Sequence, residues 1–132
     1  MQVLFNGIYS KFTGSTGAGS LYALLGGRLR FSEARQNETY PYGVYHLISD
    51  VPEYTFSETI ENALIQFNLF DDDSSATDIN TAFTALTTLY DWSTVTIDGY
   101  TSVYMQRELS YLLRESDIWN YMIQYRLVFQ KN

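Results

Sequence analysis

The stretch from Ser57 to Phe70 fixes what kind of fold this chain can adopt. From Ala63 onward one parity is wholly apolar (Ala63, Ile65, Phe67, Leu69), while the other carries Asn62, Leu64, Gln66 and Asn68. Successive side chains of a strand point to opposite faces, so the pattern predicts a strand with one face on a core and a mixed face toward solvent or a neighbour. Near the other end of the chain the pattern returns. Trp119, Tyr121, Ile123, Tyr125, Leu127 and Phe129 share one parity against Asn120, Gln124, Arg126 and Gln130 on the other. Two such strands require a one-sided sheet, and a one-sided sheet needs a covering layer.

Two stretches have the spacing to supply that layer. Met1 to Phe12 places Leu4, Ile8 and Phe12 at helical intervals, with Gly7 as a weak point and Lys11 as its single basic residue, which makes a core-packing helix rather than a membrane-surface one. Ala76 to Tyr90 carries the stripe Ile79, Phe83, Leu86 and Tyr90, widened by Ala82 and Leu89, and its threonine-rich side is expected to face solvent. Ser75 followed by Asp78 reads as a capping box at its start. Asp71-Asp72-Asp73 could suggest a calcium loop, but the EF-hand glycine and glutamate are missing. Acidic residues also favour a helix N-terminus, so capping is expected here and no metal.

The remaining stretches order themselves around these elements. Gly14 to Ser20 is glycine-rich, but no Gly-Lys-Ser/Thr follows and no buried strand precedes it, so it reads as a connector and not a phosphate loop. Ser20 to Leu25 predicts a short helix stopped by Gly26-Gly27. Arg28 to Phe31 is expected as an edge strand, and Ser32 to Tyr40 as a loop. Pro41 fits the start of a strand over Tyr42 to Ser49, with Asp50 to Glu53 as the following turn. Thr94 to Ile97 is expected as a strand closing at Asp98-Gly99, a hairpin signal. From Tyr100 to Leu113 alternation resumes, with Val103, Met105, Leu109 and Leu113 sharing a parity with Arg107 and Tyr111, before a turn over Arg114 to Asp117. The expected fold is therefore a single α+β domain over residues 1–132, a mostly antiparallel sheet with two main helices packed on one face.

Composition narrows the chemistry. The 132 residues carry a formal charge of −7, which disfavours a surface that holds nucleic acid by neutralising phosphates but suits a wall past which DNA slides. There is no cysteine, so no disulfide framework or thiolate site is possible, and with one histidine zinc is not expected. No apolar run reaches the ~20 residues of a membrane span, and no basic region followed by a long apolar segment marks a signal peptide, so a soluble protein made in a cytoplasm is expected. The histidine, His46, lies in mid-strand without a nucleophile elbow, which makes it a sheet-face residue rather than a catalytic base. Glu58 and Glu61 fall on opposite strand faces, so no pair of carboxylates stands out as acid and base. Twelve tyrosines and eight phenylalanines are a heavy aromatic load for a small acidic chain, suited equally to a β-rich core and to subunit contacts.

The element order, together with Leu24-Leu25-Gly26-Gly27-Arg28, Pro41-Tyr42 leading into Val44-Tyr45, the Gln66-Phe67-Asn68 strand and Tyr125-Arg126 in the closing strand, resembles the small tail-terminator proteins of long-tailed double-stranded DNA phages, also called tail-completion or head-to-tail joining proteins. The matching points span nearly the whole chain, though each alone is ordinary strand chemistry. The resemblance implies a homo-hexameric ring between the tail-tube protein and a head-side connector or stopper protein. Such a ring ends tube growth and passes genomic DNA through its lumen without binding it specifically. It further implies a structural virion protein at the head–tail junction, assembled in a host cytoplasm, with no enzymatic activity, no cofactor and no membrane partner. Gly14 to Ser20 and Asp71 to Asp73 have no counterpart in the family pattern, which leaves open the loop that faces the lumen. The alternatives are a neighbouring connector or stopper ring subunit, a tail-tube protein or, from another class, a small acidic hydrolase or ligand-binding domain. Tyr54, Phe56, Tyr100 and Tyr104, near strand starts, are the expected subunit-interface residues.

Overall fold

The structure is a computed structural model that describes residues 2–54, 58–102 and 104–132. Its elements in chain order are α1 (Gln2–Thr13), α2 (Leu21–Leu25), β1 (Leu29–Phe31), β2 (Tyr42–Tyr54), β3 (Thr59–Asp71), α3 (Thr77–Tyr90), β4 (Tyr100–Ser102), β5 (Gln106–Glu115) and β6 (Ile118–Lys131). The sheet runs β1-β2-β3-β6, and the far edge of β6 is shared by β5 along its first half and β4 along its last residues. Every pairing is antiparallel except that of β1 with β2. The helices lie on one face of this sheet, as the patterning predicts.

The central strand behaves as its alternation requires. Ala63, Ile65, Phe67 and Leu69 of β3 are all fully buried, as are Ile123, Tyr125 and Leu127 of β6 and, from the helices, Leu4, Ile8, Phe12, Ile79 and Leu86. Phe67 sits at the centre of an aromatic cluster, 4.9 Å from the ring of Tyr90 and 5.9 Å, edge to face, from that of Tyr125. Each such side chain contributes about 1.5–3 kcal/mol by leaving water, and the edge-to-face contact adds a smaller electrostatic gain. The Tyr90 hydroxyl is buried and donates to the Ile8 carbonyl at 2.8 Å, so one hydrogen bond ties α3 to α1. Burial pushes its ionisation strongly upward, which keeps it a neutral donor.

Local signals set several boundaries. Ser20 caps α2 by accepting from the Ala23 amide at 3.2 Å, and Gly26 ends it in the left-handed region at φ 59°. The β5–β6 hairpin turns on Ser116 and Asp117, both at positive φ, the turn that matches strand twist. Gly7 serves close approach. A Cβ there would lie 2.3 Å from the Thr96 carbonyl oxygen, so only glycine lets α1 rest on that backbone.

Four expectations are corrected. Asp50 to Glu53 is not a turn: β2 continues to Tyr54 in register with β3, Val51 opposite Asn62 and Glu53 opposite Ile60. Pro52 lies on the free edge of the strand, where its missing N–H costs no ladder bond. Thr94 to Ile97 is irregular and not a strand, because Val95 and Ile97 are buried in the core and Thr96 packs on α1; the Asp98-Gly99 turn exists, closed by the Tyr100 amide on the Ile97 carbonyl at 3.0 Å. The parity assigned from Tyr100 to Leu113 breaks at a bulge between Arg107 and Leu109, so Met105 is buried but Leu109, Tyr111 and Leu113 point away from the helices. The capping box is half formed: Ser75 accepts from the Thr77 amide at 3.2 Å, but Ala76 precedes α3 without a side-chain cap.

Candidate assembly surface

The helices leave one face of the sheet bare, and the alternation that buries Ala63 to Leu69 decides what that face displays. It carries Gln66 and Asn68 from β3, Asn120 and Gln124 from β6, and His46, paired with Gln66, from β2. The amides are linked across strands. Gln124 donates to Gln66 at 2.9 Å, Gln66 to Asn68 at 2.8 Å, and Asn68 to Asn120 at 3.1 Å. Arg126 extends the array, donating to Asn62 at 2.7 Å and to Glu108 at 2.6 Å. Although no helix covers them, Gln66 and Asn68 are only 9% and 8% exposed. Amides bonded in series hold one another's side chains in fixed orientations, and they present a rigid polar floor rather than a reactive centre.

Around this floor stand aromatic and aliphatic groups. Tyr42 stacks on Phe70 at 5.0 Å, and a cavity of about 360 Å³ opens between them, His46, Asn68 and the loop at Ser32 to Ala34. On the other side Leu109, Tyr111 and Leu113 of β5 remain exposed. Large apolar side chains left exposed beside an ordered polar surface are available for contact with another protein.

The expected interface tyrosines fall elsewhere. Tyr54 ends β2 and Tyr104 lies between β4 and β5, both largely exposed, whereas the Tyr100 ring packs edge to face on Phe129 at 5.2 Å. Tyr54 and Tyr100 share one end of the sheet, across β3 and β6. Phe56 lies outside the described residues. Aromatic residues near strand starts do not point to the amide floor, although its signal, the polar parity of Ser57 to Phe70, is plain in the sequence.

Of five cavities among the described residues none is lined by two carboxylates, and one of about 620 Å³ between α3, α2 and the end of α1 is edged by Lys11 and by serine and threonine hydroxyls. His46 has an unpartnered Nδ1 and no serine hydroxyl bonded to it. Asp71, Asp73 and Asp78 bring carboxylate oxygens within 4.8 Å of one another and are the described residues best placed to hold a cation. Their local bonds are those of helix entry: Asp73 accepts from the Ser75 amide at 3.3 Å. Burial raises the Asp71 carboxyl above its usual range, with the charges of Asp78 and Asp73 adding to the effect. A second acidic pair joins β2 to β3, where hydrogen bonding to Asp50 pushes Glu61 upward and burial adds to it.

No protein-family model matches the chain, and no curated protein sequence matches it. Among solved structures, it is similar to a chain in the virion of a native gene transfer agent particle, with a TM-score of 0.75 at 10% identity, over 93% of this chain and 91% of that one. At that identity the likeness is one of fold, and it extends over nearly the whole of both chains.

Proposed function

We propose that this protein is a structural subunit of a phage-like virion, assembled as a ring at the head-proximal end of the tail, where it ends the tail tube and joins it to the head-side connector. The observation that carries the reading is the fold likeness to a gene transfer agent virion chain over more than nine-tenths of both. The order of elements and the local resemblance to tail-terminator proteins support the position within the particle. Two further features support it. The bare face sets large exposed apolar side chains beside an ordered hydrogen-bonding floor, which leaves it available for contact with another protein. The charge of −7 suits a channel that passes DNA without retaining it.

A ring forms when a head-to-tail contact closes by rotation. Six copies are expected. Purified protein imaged by negative-stain electron microscopy and weighed by mass photometry is expected to show closed rings, and added tube protein is expected to stop lengthening once capped by them. Open-ended polymers of the purified chain would instead indicate a tube protein. A strictly monomeric species that leaves tube length unchanged would refute the reading.

A further inference from the structure

Three carboxylates meet where β3 gives way to α3, and helix entry accounts for only two of them. Asp73 accepts from the Ser75 amide, and Asp78 stands in the first turn of α3, where a negative charge suits the helix dipole. Asp71 is different. It is the last residue of β3 and only 3% exposed, and its Oδ2 is enclosed with no hydrogen-bond partner. One carboxylate oxygen from each of the three nevertheless lies within 4.8 Å of the other two. Asp73 and Asp78 are exposed, so Asp71 forms the inner wall of a corner that opens to solvent. A buried carboxylate oxygen is costly unless a donor or a metal meets it, and capping alone leaves this one unexplained.

No basic side chain answers these charges. Among the described residues the ion pairs join Arg30 to Glu38, Arg107 to Asp91 and Arg126 to Glu108, and none includes the corner. Arg114 reaches it, but donates to the main-chain carbonyl of Asp73 at 3.2 Å while its guanidinium lies over the Trp119 ring at 4.5 Å. Burial and, after it, the charges of Asp78 and Asp73 raise the Asp71 carboxyl, a condition that a bound cation reverses. Calcium takes oxygen ligands at roughly 2.3–2.6 Å in irregular geometry, so two of its ligands stand at most about 5 Å apart. The spacing at the corner falls within that reach. Magnesium holds a strict octahedron and keeps several waters, so three carboxylates together favour calcium.

We propose that Asp71, Asp73 and Asp78 form a calcium site that fastens the end of β3 to the first turn of α3. Each carboxylate supplies an oxygen, the buried one from Asp71 included, and water completes the shell on the exposed side. The ion thereby holds in place the entry of a helix that covers the sheet. With two of the three side chains exposed and the rest of the shell water, a dissociation constant on the order of 10⁻⁴–10⁻³ M is expected. The site lies within one copy and does not depend on ring formation.

The full-length protein, stripped with a chelator, is titrated with calcium chloride alone at constant ionic strength. Calcium at about 10 mM stands roughly 10–100-fold above that constant, so the folding equilibrium is expected to rise by roughly 10–100-fold, read as a higher urea midpoint at unchanged slope. Asp71→Asn and Asp78→Asn keep the side-chain shape and are each expected to abolish the rise. Asp72→Asn, at an acidic neighbour outside the three, is expected to retain it. Terbium gives a local readout, because Trp119 stands opposite Asp71 on β6. Terbium luminescence excited through tryptophan is expected in the parent, displaced by calcium, and lost in Asp78→Asn and in Trp119→Phe. A midpoint that calcium does not move overturns the proposal, as does an equal rise in Asp71→Asn and Asp78→Asn. Equal loss in Asp72→Asn, the mark of a diffuse acidic patch, or a terbium signal undiminished by Trp119→Phe, overturns it too. Should Asp71→Asn fail to fold, the exposed Asp78→Asn decides by the same readings.

Discussion

Gly7→Ala sets two known effects against each other at one site. In a helix interior alanine is favoured over glycine by about 1 kcal/mol, so propensity alone makes the substitution stabilising. Packing opposes it. The new Cβ would stand 2.3 Å from the Thr96 carbonyl oxygen and 2.9 Å from Val95 Cγ1, where real Cβ atoms essentially never come within 3.0 Å. The nearest obstacle is backbone, and the segment bearing it is anchored by Val95 and Ile97 in the core and by the Ser102 hydroxyl on the Val95 carbonyl at 2.7 Å. Helix α1 must therefore move outward, loosening Leu4 and Ile8, and overpacking of this kind costs about 1–3 kcal/mol. The closeness of the contact places the cost toward the upper end, so a net loss of about 1–2 kcal/mol is expected, with a fall in Tm on the order of 5 °C. Urea unfolding followed by circular dichroism measures it through the midpoint at unchanged slope. Gly17→Ala is the control, since nothing lies within 4 Å of a Cβ there, and it should stay within about 0.5 kcal/mol of the parent. A Gly7→Ala protein as stable as the parent, or more so, would refute the close approach of α1 to the 94–97 segment.

Tyr90→Phe keeps the ring cluster and removes the buried bond to the Ile8 carbonyl, so a loss of about 1 kcal/mol without change in fold is expected from the same urea measurement. Glu38 is held below its ordinary pKa of 4.5 by its hydrogen bonds from Arg30. Its stabilisation is therefore complete above the unfolded value and is lost as pH falls through the lower folded one, and Glu38→Gln should cost about 1 kcal/mol near neutrality and little once pH has fallen below the folded value. Glu61 behaves oppositely: its pKa is raised above 4.5, first by hydrogen bonding to Asp50, so the folded state loses stability as pH rises from the unfolded value through the folded one. Glu61→Gln should thus gain on the parent as pH rises across that window, and a stability difference independent of pH would refute the coupling.

Most of the fold was legible because the sheet is one-sided. Where one face is buried and the other wet, a strand writes its register into the sequence with period two, and the rows Ala63 to Leu69 and Ile123 to Phe129 could be read directly. The helices were legible for the same reason at period 3.6, with Leu4, Ile8 and Phe12 all fully buried. Legibility failed where an irregularity shifts the count. The bulge at Glu108 moved Leu109, Tyr111 and Leu113 to the outer face, and no local residue type announces a bulge there. It failed also at Thr94 to Ile97, whose β-branched residues meet a helix and not a strand, so that strand propensity was overridden by packing. Asp50 to Glu53 has turn composition but edge position, and proline is tolerated in both.

The sequence by itself determined the class of fold, the two covering helices, the polar parity of the central strand and the absence of any cysteine, because these follow from periodicity and side-chain type alone. Only the tertiary structure decided that Gln124, Gln66, Asn68 and Asn120 join across strands into one floor, and that glycine is required at residue 7. Each of these is a relation between residues distant in the chain. Hydrogen bonds and steric contacts act over a few ångströms of space, and a sequence records distance only along the backbone.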